Sequence, residues 1–413
     1  MSAMLKINYK LFLLFFAGLM ATTSLLADSP DGADADGHAA YDPAAPAFHH
    51  ISDANVYSIG PWQIPLPCIM YVPGEGFHTF SSSQFGITTP HGDGLYAVDR
   101  FVLIGGRVKL LKDANFPMGK VELGKDHHDL HHLWHAENPA KTLNGQNFNL
   151  AFHDSSTADG GVFGGGITPF YDFSITKNVV SMMLVCFFMG WFFIGMARKY
   201  ARTEGQAPSG AQSLFETIIV FIQDEVAKPF LGKDWERLLP FLLTLFFFIL
   251  GLNLWGQVPF FGGANVTGNL AVTMVLAFVT FLVVLINGNK HYWEHMLWMP
   301  GVPSVLKILI LTPVEVLGMF IKPITLALRL FANITAGHMV MVIFVALIFL
   351  FGNAGANPAA AYGTAVGSTL LTLFMMAIEL LVAFIQAFVF TILTASYLGA
   401  ATEEAHHDHE GAH

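Results

Sequence analysis

The chain has 413 residues, of which 54% are hydrophobic and only 12% are charged, and its mean hydropathy is +0.53. This composition predicts an integral membrane protein, and the formal net charge of -10 argues against nucleic acid as a partner, because such binding needs a basic patch. The two cysteines, Cys68 and Cys186, are too few for a disulfide framework and form no CxxC motif.

The sequence begins with the features of a secretory signal peptide over residues 1–27. Two lysines precede the apolar run Leu11–Met20, and small residues then lead to Ala27 and an acidic stretch. This order is typical of export signals, and the apolar run is too short for a comfortable span. Leu25 is not the small residue expected three positions before a cleavage site, so an uncleaved anchor stays open. In either case the next segment is exported.

Residues 28–175 form a polar region rich in Gly, Pro and His, which we expect to lie outside the cytoplasm and to be partly disordered. Its composition predicts short strands around Trp62–Val72 and Leu95–Leu111. The stretch before Phe48 has the composition of a disordered linker. The fold of this region is therefore expected to be mixed rather than purely helical.

A cluster of histidines and acidic residues occupies Asp126–His135. In a helix it would place three His pairs at i,i+4, a spacing able to hold a divalent metal. A solvated loop is the favoured interpretation, because no cysteine joins the cluster and such tracts are compositionally common. We therefore expect no metal site, and no cofactor.

Residues 176–401 are expected to form an all-α membrane domain of five membrane-crossing helices and one interfacial helix. A hydrocarbon core of about 30 Å needs roughly 20 apolar residues. Ala211–Lys228 mixes apolar and acidic residues at helical spacing, which favours an interfacial or cytoplasmic helix. The predicted spans are Val179–Met196, Leu238–Trp255 and Leu270–Ile286, followed by the longer apolar stretches Pro303–Phe351 and Thr364–Ala400.

Loop charges predict the orientation, since Lys and Arg accumulate in short cytoplasmic loops. The loop 198–237 carries six Lys or Arg residues and the loop 287–307 carries two, whereas loops 256–269 and 352–363 carry none. This alternation places the region before the first span outside. It also leaves the His- and acid-rich tail, residues 402–413, in the cytoplasm.

The last two apolar stretches are much longer than one perpendicular crossing requires. Each helix must therefore run strongly tilted or partly along the membrane. Pro313 and Pro323 are expected to bend the first of them, because proline lacks a backbone N–H and strains the preceding turn. Two long tilted helices offer an extended surface on which another membrane protein can pack.

Three ionisable residues, Arg329, His338 and Glu379, lie far from the ends of these helices. A charge at bilayer depth costs roughly 3 kcal/mol or more, so it is kept only beside water, a counter-charge or a moving ion. Arginine cannot escape this cost by losing its proton. The three residues together are typical of a proton relay.

Other polar residues lie near the same helix faces. Glu315 and Lys322 precede Arg329 at seven-residue intervals and Asn333 follows it by four, so helical periodicity puts all of them near one stripe. Gln386 follows the glutamate of the last helix by seven residues. Ordinary interhelical hydrogen bonds by Asn333 and Gln386, and a mutual Glu315–Lys322 pair, stay open as alternatives.

Three segments carry a specific resemblance: TPVEVLGMFIKPITLALRLFANITAGH from Thr312, NLAVT from Asn269, and AFIQAFVFTILTASYLGAATEE from Ala383. Over about residues 179–404, the chain resembles subunit a of the F-type ATP synthases, the stator of a rotary ion motor.

The resemblance implies that Arg329 matches the family's essential arginine and that Asn333 and Gln386 match its polar neighbours. His338 falls where many members have a glutamate and Glu379 where they have a histidine, an exchange also found in other members. A carboxylate that some members carry near the outer end of the second span is replaced by Gly256.

The resemblance further implies a non-catalytic subunit that provides two half-channels, passing protons to and from a rotating c-ring. Ions would enter from outside past His338 and Glu379 and leave to the cytoplasm near Glu315, while Arg329 would separate the two paths. The implied partners are the carboxylate-bearing hairpin subunits of the c-ring, the b subunits of the peripheral stalk and lipid. The implied location is the bacterial inner (plasma) membrane, and the ion, H⁺ or Na⁺, stays open.

Rival functions explain less of the sequence. The main alternative is an ion-coupled secondary transporter with its own substrate site, which predicts inverted repeats that the sequence does not show. An intramembrane metallohydrolase needs a ligand pair such as HExxH within a span. A binding module with a membrane anchor leaves Arg329 unexplained.

Overall fold

The computed structural model describes residues 52–59, 62–87, 93–124, 130, 133–134, 139–143, 145–153, 169–202, 205–258, 264–297, 312–351 and 358–402. Five helices in these ranges are long and apolar enough to cross a membrane. The chain is therefore a multi-pass membrane protein, and the predicted all-α membrane class is confirmed for its helical part. The predicted signal peptide, most of the Asp126–His135 cluster and the tail beyond Thr402 lie outside the described residues.

Short antiparallel strands build the region before the first long helix, and the strands predicted around Trp62–Val72 and Leu95–Leu111 are confirmed. In β3, alternate residues such as Cys68 and Met70 are buried, as expected for a strand with one face on a core. The strands are β1 Val56–Ile59, β2 Trp62–Pro65, β3 Pro67–Val72, β4 Gly76–Ser81, β5 Tyr96–Val98, β6 Phe101–Ile104, β7 Arg107–Leu111, β8 Lys120–Glu122, β9 Ala140–Leu143, β10 Gln146–Asn149, β11 Phe152–His153 and β12 Tyr171–Asp172.

These strands form small sheets rather than one continuous layer. The largest has the order β11-β7-β6-β5-β8, and another has the order β12-β3-β4. The β1-β2 and β9-β10 hairpins stand as separate pairs. Phe85, Phe101 and Phe170 are fully buried between these elements, so the region has an apolar core of its own.

A buried carboxylate joins this β-rich region to the first long helix, α1 (Lys177–Arg202). The backbone N–H of Lys177 donates to the carbonyl of Ala54 at 2.7 Å. The Asp53 side chain accepts from the backbone N–H groups of Ala54 at 2.9 Å and Asn178 at 3.0 Å. Burial raises the pKa of Asp53, and the hydrogen bonds that it accepts oppose this shift. The start of α1 is thus fixed on the β-rich region.

The next helical segment runs from Ala211 to Gln257, and Gly232, with φ 53° and ψ -117°, interrupts the helical backbone within it. The helix predicted for Ala211–Lys228 is confirmed as an element before the second span, and its interfacial position stays a prediction. Pro229 lies in the first turn of a short helix, where proline is tolerated. The run comprises α2 Ala211–Ile222, a π-helical turn Gln223–Ala227, α3 Lys228–Leu231, a 3-10 turn Gly232–Asp234 and α4 Trp235–Gln257.

Helix α4 lies in the main core of the helical region. Phe246, Ile249 and Leu242 are fully buried in it. A Cβ on Gly251 would lie 2.9 Å from the sulfur of Met189, so glycine lets α1 approach α4 closely. The next helices are α5 Leu270–Asn287, which begins after an Asn269 cap, and α6 Lys290–Leu297.

The last two helices are the longest and pack along each other. Helix α7 (Thr312–Phe351) has 40 residues and α8 (Pro358–Thr402) has 45, about twice what a perpendicular crossing of about 30 Å needs. Pro323 lies inside α7, and Pro313 is the second described residue of that helix. The bends predicted at both prolines stay predictions.

Replacing Asp53 by Ala is expected to loosen the joint between the β-rich region and α1. The change leaves two backbone N–H groups without their acceptor, and a buried unsatisfied group costs about 1–3 kcal/mol. The thermal unfolding midpoint of the purified chain in detergent should fall. Asp113→Ala is the control, because it removes a hydrogen bond to Asn115 on an exposed loop. Equal midpoints for the two variants would contradict a fixing role for Asp53.

Candidate functional site

Arg329 lies near the middle of α7, and its side chain is exposed. Within the part of the chain that the structure describes, it takes part in no ion pair, and its charge acts on the hydroxyl of Tyr397 on α8. The ammonium of Lys322 lies 5.6 Å from the centre of the same ring. Two positively charged side chains of α7 thus lie near one tyrosine ring.

Exposed apolar side chains surround Arg329. Residues three and four apart share one side of a helix, so these side chains form one stripe on α7 and another on α8. Together the two stripes form an open apolar face, within which Arg329 is a permanent charge. Its members include Leu317, Ile321, Ile324 and Leu328 on α7 and Val366, Leu370, Leu373, Phe374, Leu381 and Ile385 on α8.

His338 and Glu379 form a buried pair between α7 and α8. Their side chains retain only 5% and 2% of their accessible surface, and His338 Nδ1 contacts Glu379 Oε1. The second carboxylate oxygen, Oε2, is also buried and makes no hydrogen bond to the described residues. A Cβ on Gly337 would lie 3.2 Å from Oε1, so a glycine beside the histidine lets the acid approach.

Polar side chains at one end of α4 hold the backbone of α8 beside this pair. Gln257 Nε2 donates to the carbonyl of Glu379 at 2.9 Å, and Asn253 Nδ2 donates to the carbonyl of Ala383 at 3.2 Å. Thr267 in turn donates to Asn253 Oδ1 at 2.7 Å. None of these three residues was predicted from the sequence, although Asn253 and Gln257 are polar side chains within an apolar helix.

Gly256 lies on the other side of the histidine ring. A Cβ at this position would be 3.7 Å from His338 Nε2 and 3.1 Å from the carbonyl oxygen of Ala264. One ring nitrogen of His338 therefore contacts an acid, and the other is next to a glycine. The replacement of a carboxylate by Gly256 falls directly beside the buried pair.

The remaining predicted residues lie apart from this pair. Asn333 is exposed one turn after Arg329, whereas Gln386 is buried in α8. Glu315 is exposed in the first turn of α7. Burial raises the pKa of Tyr292, and the charge of Glu315 adds to this shift. The mutual Glu315–Lys322 pair, which the sequence left open as an alternative, does not form in the structure, since neither residue has an ion-pair partner in the described ranges.

A cavity of about 40 Å³ lies between α5, α6, α7 and α8. Tyr292, Lys322, Tyr397 and Thr280 supply polar atoms to its wall, beside apolar residues such as Leu326. Glu315 is not among the lining residues. This mainly apolar cavity, with its few polar atoms, thus lies on the opposite side of Arg329 along α7 from the His338–Glu379 pair.

No group of three or more His, Cys, Asp or Glu side chains that could hold a metal occurs among the described residues. The histidines of Asp126–His135 lie outside those residues.

Comparisons with known proteins divide the chain at the same point as the fold. The family described as ATP synthase A chain matches residues 179–399, and a domain of unknown function matches residues 47–136. The chain is 40% identical to ATP synthase subunit a of Chloroherpeton thalassium over 58% of its own length and 69% of that protein. It is 41% identical to ATP synthase subunit a of Myxococcus xanthus, over 59% of its own length and 77% of that protein.

Replacing His338 by Ala is expected to destabilise the helical region. Glu379 would keep a buried carboxyl group without a ring partner, and breaking a buried pair costs about 3 kcal/mol. The thermal midpoint of the purified chain in detergent should fall, whereas Asn333→Ala, an exposed change on the same helix, should leave it unchanged. A double variant, His338→Glu with Glu379→His, keeps one acid and one imidazole and should recover much of the loss. A swap variant no more stable than His338→Ala would contradict the pairing.

Proposed function

Because the chain belongs to the ATP synthase A chain family, we propose that its polar residues within the membrane form the two half-channels of the ion path. The chain is subunit a of the membrane sector of an F-type ATP synthase, and it couples ion flow across the membrane to ATP synthesis. One observation carries the proposed path. Arg329 is a permanent charge on an exposed apolar face and has no acidic partner among the described residues.

Arg329 meets a carboxylate of the neighbouring c-ring in this proposal. A fixed charge at bilayer depth is costly unless an opposite charge or water is close, and the open apolar face of α7 and α8 provides a surface for a second membrane protein. The guanidinium attracts a deprotonated ring carboxylate and repels a cation that would pass directly between the half-channels. Each proton that crosses 100 mV contributes about 2.3 kcal/mol, so a direct leak would waste that energy.

His338 and Glu379 form the relay of the entry half-channel. Neutral imidazole carries a proton on one nitrogen and accepts one at the other, and its unperturbed pKa lies near physiological pH. A proton that arrives at Nε2, on the side of Gly256, can leave from Nδ1 to the carboxylate of Glu379. The absence of a side chain at Gly256 supports this order, because it leaves space beside Nε2 for an incoming ion or water.

Gln386 links this relay to Arg329. Consecutive membrane-crossing helices are antiparallel, so moving back along α7 and forward along α8 leads in the same direction. Arg329 is nine residues before His338, and Gln386 is seven residues after Glu379. Both therefore lie at nearly the same depth, about 10–14 Å from the buried pair. A buried amide at that depth offers both a donor and an acceptor. Asn333 lies on the exposed side, one turn from Arg329, where it can contact the ring.

The exit half-channel runs through the cavity lined by Tyr292, Lys322 and Tyr397. Its polar atoms lie between Arg329 and the start of α7, where Glu315 is exposed. Glu315 then serves as the last acidic group before the aqueous phase.

The proposed orientation follows the loop charges. The Lys- and Arg-rich loops lie in the cytoplasm, which puts the His338–Glu379 end of the path outside and Glu315 inside. The c-ring occupies the open face of α7 and α8, and the b subunits of the peripheral stalk bind elsewhere on the helical region. The membrane is the inner (plasma) membrane of a bacterium, and the transported ion is H⁺ or Na⁺ according to the ring carboxylate.

Replacing Arg329 by Ala should abolish ion-driven ATP synthesis, because the ring carboxylate loses its counter-charge and the half-channels are no longer separated. ATP hydrolysis by the soluble sector should survive, and membrane vesicles with the variant synthase should leak protons. Ile194→Ala, an exposed change on α1, is the control and should leave synthesis near the unchanged level. Normal coupling in the Arg329 variant would refute the proposed role.

Replacing Glu379 by Gln should slow ion entry by about 100-fold or more, because a positioned proton-transfer group commonly contributes about 10²- to 10⁴-fold. The amide keeps the shape of the side chain, so the synthase should still assemble. Proton pumping by inverted vesicles measures the effect, with assembly checked by co-purification of the c-ring. Glu315→Gln should have a smaller effect, because the cavity residues remain. Unchanged pumping in the Glu379 variant would count against the relay.

A further inference from the structure

The β1-β2 hairpin has no role in the ion path, and its tip is the most exposed apolar feature near α1. Trp62 is 72% exposed and Ile64 is 45% exposed. Residues 56–65, which read VYSIGPWQIP, contain no charged side chain. A hairpin of this composition on a water-facing surface would expose an indole ring and an isoleucine without a covering partner.

Contacts at its base place both strands of the hairpin beside the start of α1. Ala54, just before β1, accepts a hydrogen bond from the backbone N–H of Lys177 at 2.7 Å. Pro67, just after β2, accepts one from the backbone N–H of Ile175 at 3.2 Å. The open end of the hairpin therefore lies at the level where α1 begins.

The direction of the hairpin follows from Tyr57. Ser181, one turn into α1, donates to the Tyr57 hydroxyl at 3.4 Å, and both residues are buried. The contacts between the two segments therefore advance from Lys177 to Ser181 along the helix as they advance from Ala54 to Tyr57 along the strand. The hairpin extends in the direction in which α1 enters the membrane.

Strand geometry gives the depth of the tip. From Ala54 to Ile59 a strand advances by about 16 Å at about 3.3 Å per residue. A helix needs roughly 11 residues for that distance, so a strand exactly parallel to α1 would reach the level of Phe188, at the middle of α1. This level is the deepest that strand geometry allows, and any tilt of the strand brings its end nearer to the start of the helix. Trp62, which pairs with Ile59, therefore lies between the start and the middle of α1.

One face of the hairpin is apolar. Alternate residues of a strand share a face, and directly paired residues lie on the same face. Tyr57 and Ile59, with their partners Ile64 and Trp62, therefore share one face. Helix α1 covers Tyr57 and leaves Trp62 and Ile64 open.

We propose that the β1-β2 hairpin is seated in the lipid headgroup and upper acyl layer on the side of the membrane where α1 begins, with Trp62 as its anchor. Tryptophan is enriched at this boundary because its ring is apolar and its N–H is polar. Backbone N–H and C=O groups that point outward from a strand can be satisfied by water or headgroups and not by hydrocarbon. The tip is therefore held at the interface and does not enter the bilayer centre.

Spin labels on the full-length chain in phosphatidylcholine vesicles test this placement. Trp62→Cys is compared with Phe187→Cys, a 67% exposed position on α1, and with Phe77→Cys, a 68% exposed position on β4. The native Cys186 is replaced by Ala in all three. Burial raises the pKa of the Cys68 thiol to about 12, so that thiol stays unlabelled. Power saturation with oxygen and with a water-soluble nickel complex measures the depth of each label.

A label at position 62 is expected to favour oxygen over the nickel complex, as at position 187, and to differ in this from position 77. Nickel accessibility equal to that at position 77 would overturn the proposal. Exclusion of both reagents at position 62 would also overturn it, because a protein surface would then cover the tip. As an independent readout, brominated phosphatidylcholine should quench tryptophan fluorescence less in Trp62→Phe than in the unchanged chain. The result does not depend on the proposed ion path.

Discussion

A guanidinium that cannot lose its proton, held within an apolar helix, is the constraint on which the helical region depends. Arg329 is kept exposed on the face shared by α7 and α8, so its cost is not relieved inside the chain. The length of α7 and α8 follows from this, because a long tilted pair presents a broad surface to a moving partner. Burying Arg329 against Glu379 would satisfy the charge permanently, and a satisfied charge would no longer respond to a carboxylate that arrives and departs.

Small residues around His338 explain why the acid lies on α8 and not on α4. Gly337 allows Glu379 to reach His338, and Gly256 leaves the opposite ring nitrogen open. A carboxylate at position 256 would start from a Cβ only 3.1 Å from a backbone carbonyl oxygen and would bring a second negative charge towards Glu379. With the acid on α8, one carboxylate and one imidazole complete the buried pair, and position 256 is free to be a glycine.

Charge in an apolar run is visible in a sequence, and packing between distant helices is not. Arg329, His338 and Glu379 could be singled out because each is costly where it lies. The register that joins positions 338 and 379 depends on a turn between α7 and α8, and no local pattern fixes it. Asn253 and Gln257 were missed because an isolated amide in a span is equally typical of an ordinary interhelical hydrogen bond. The irregular connection from α2 to α4 also escaped local reasoning, since it combines a π-helical turn at Gln223–Ala227 with a non-helical Gly232.

The β-rich region compensates for the weak attachment of α1 to the other helices. Helix α1 packs on α4 through Gly251 but leaves Phe187 and Trp191 about 70% exposed, so little within the helical region prevents it from rotating about its own axis. The carboxylate of Asp53 holds the first turn from one side, and Tyr57 holds the second turn through Ser181. A hairpin seated at the membrane surface would add a third point of attachment far from the axis of α1, where the same force gives a larger torque against rotation of the helix. In the placement proposed above, Asp53, Tyr57 and Trp62 would together fix α1 relative to the bilayer.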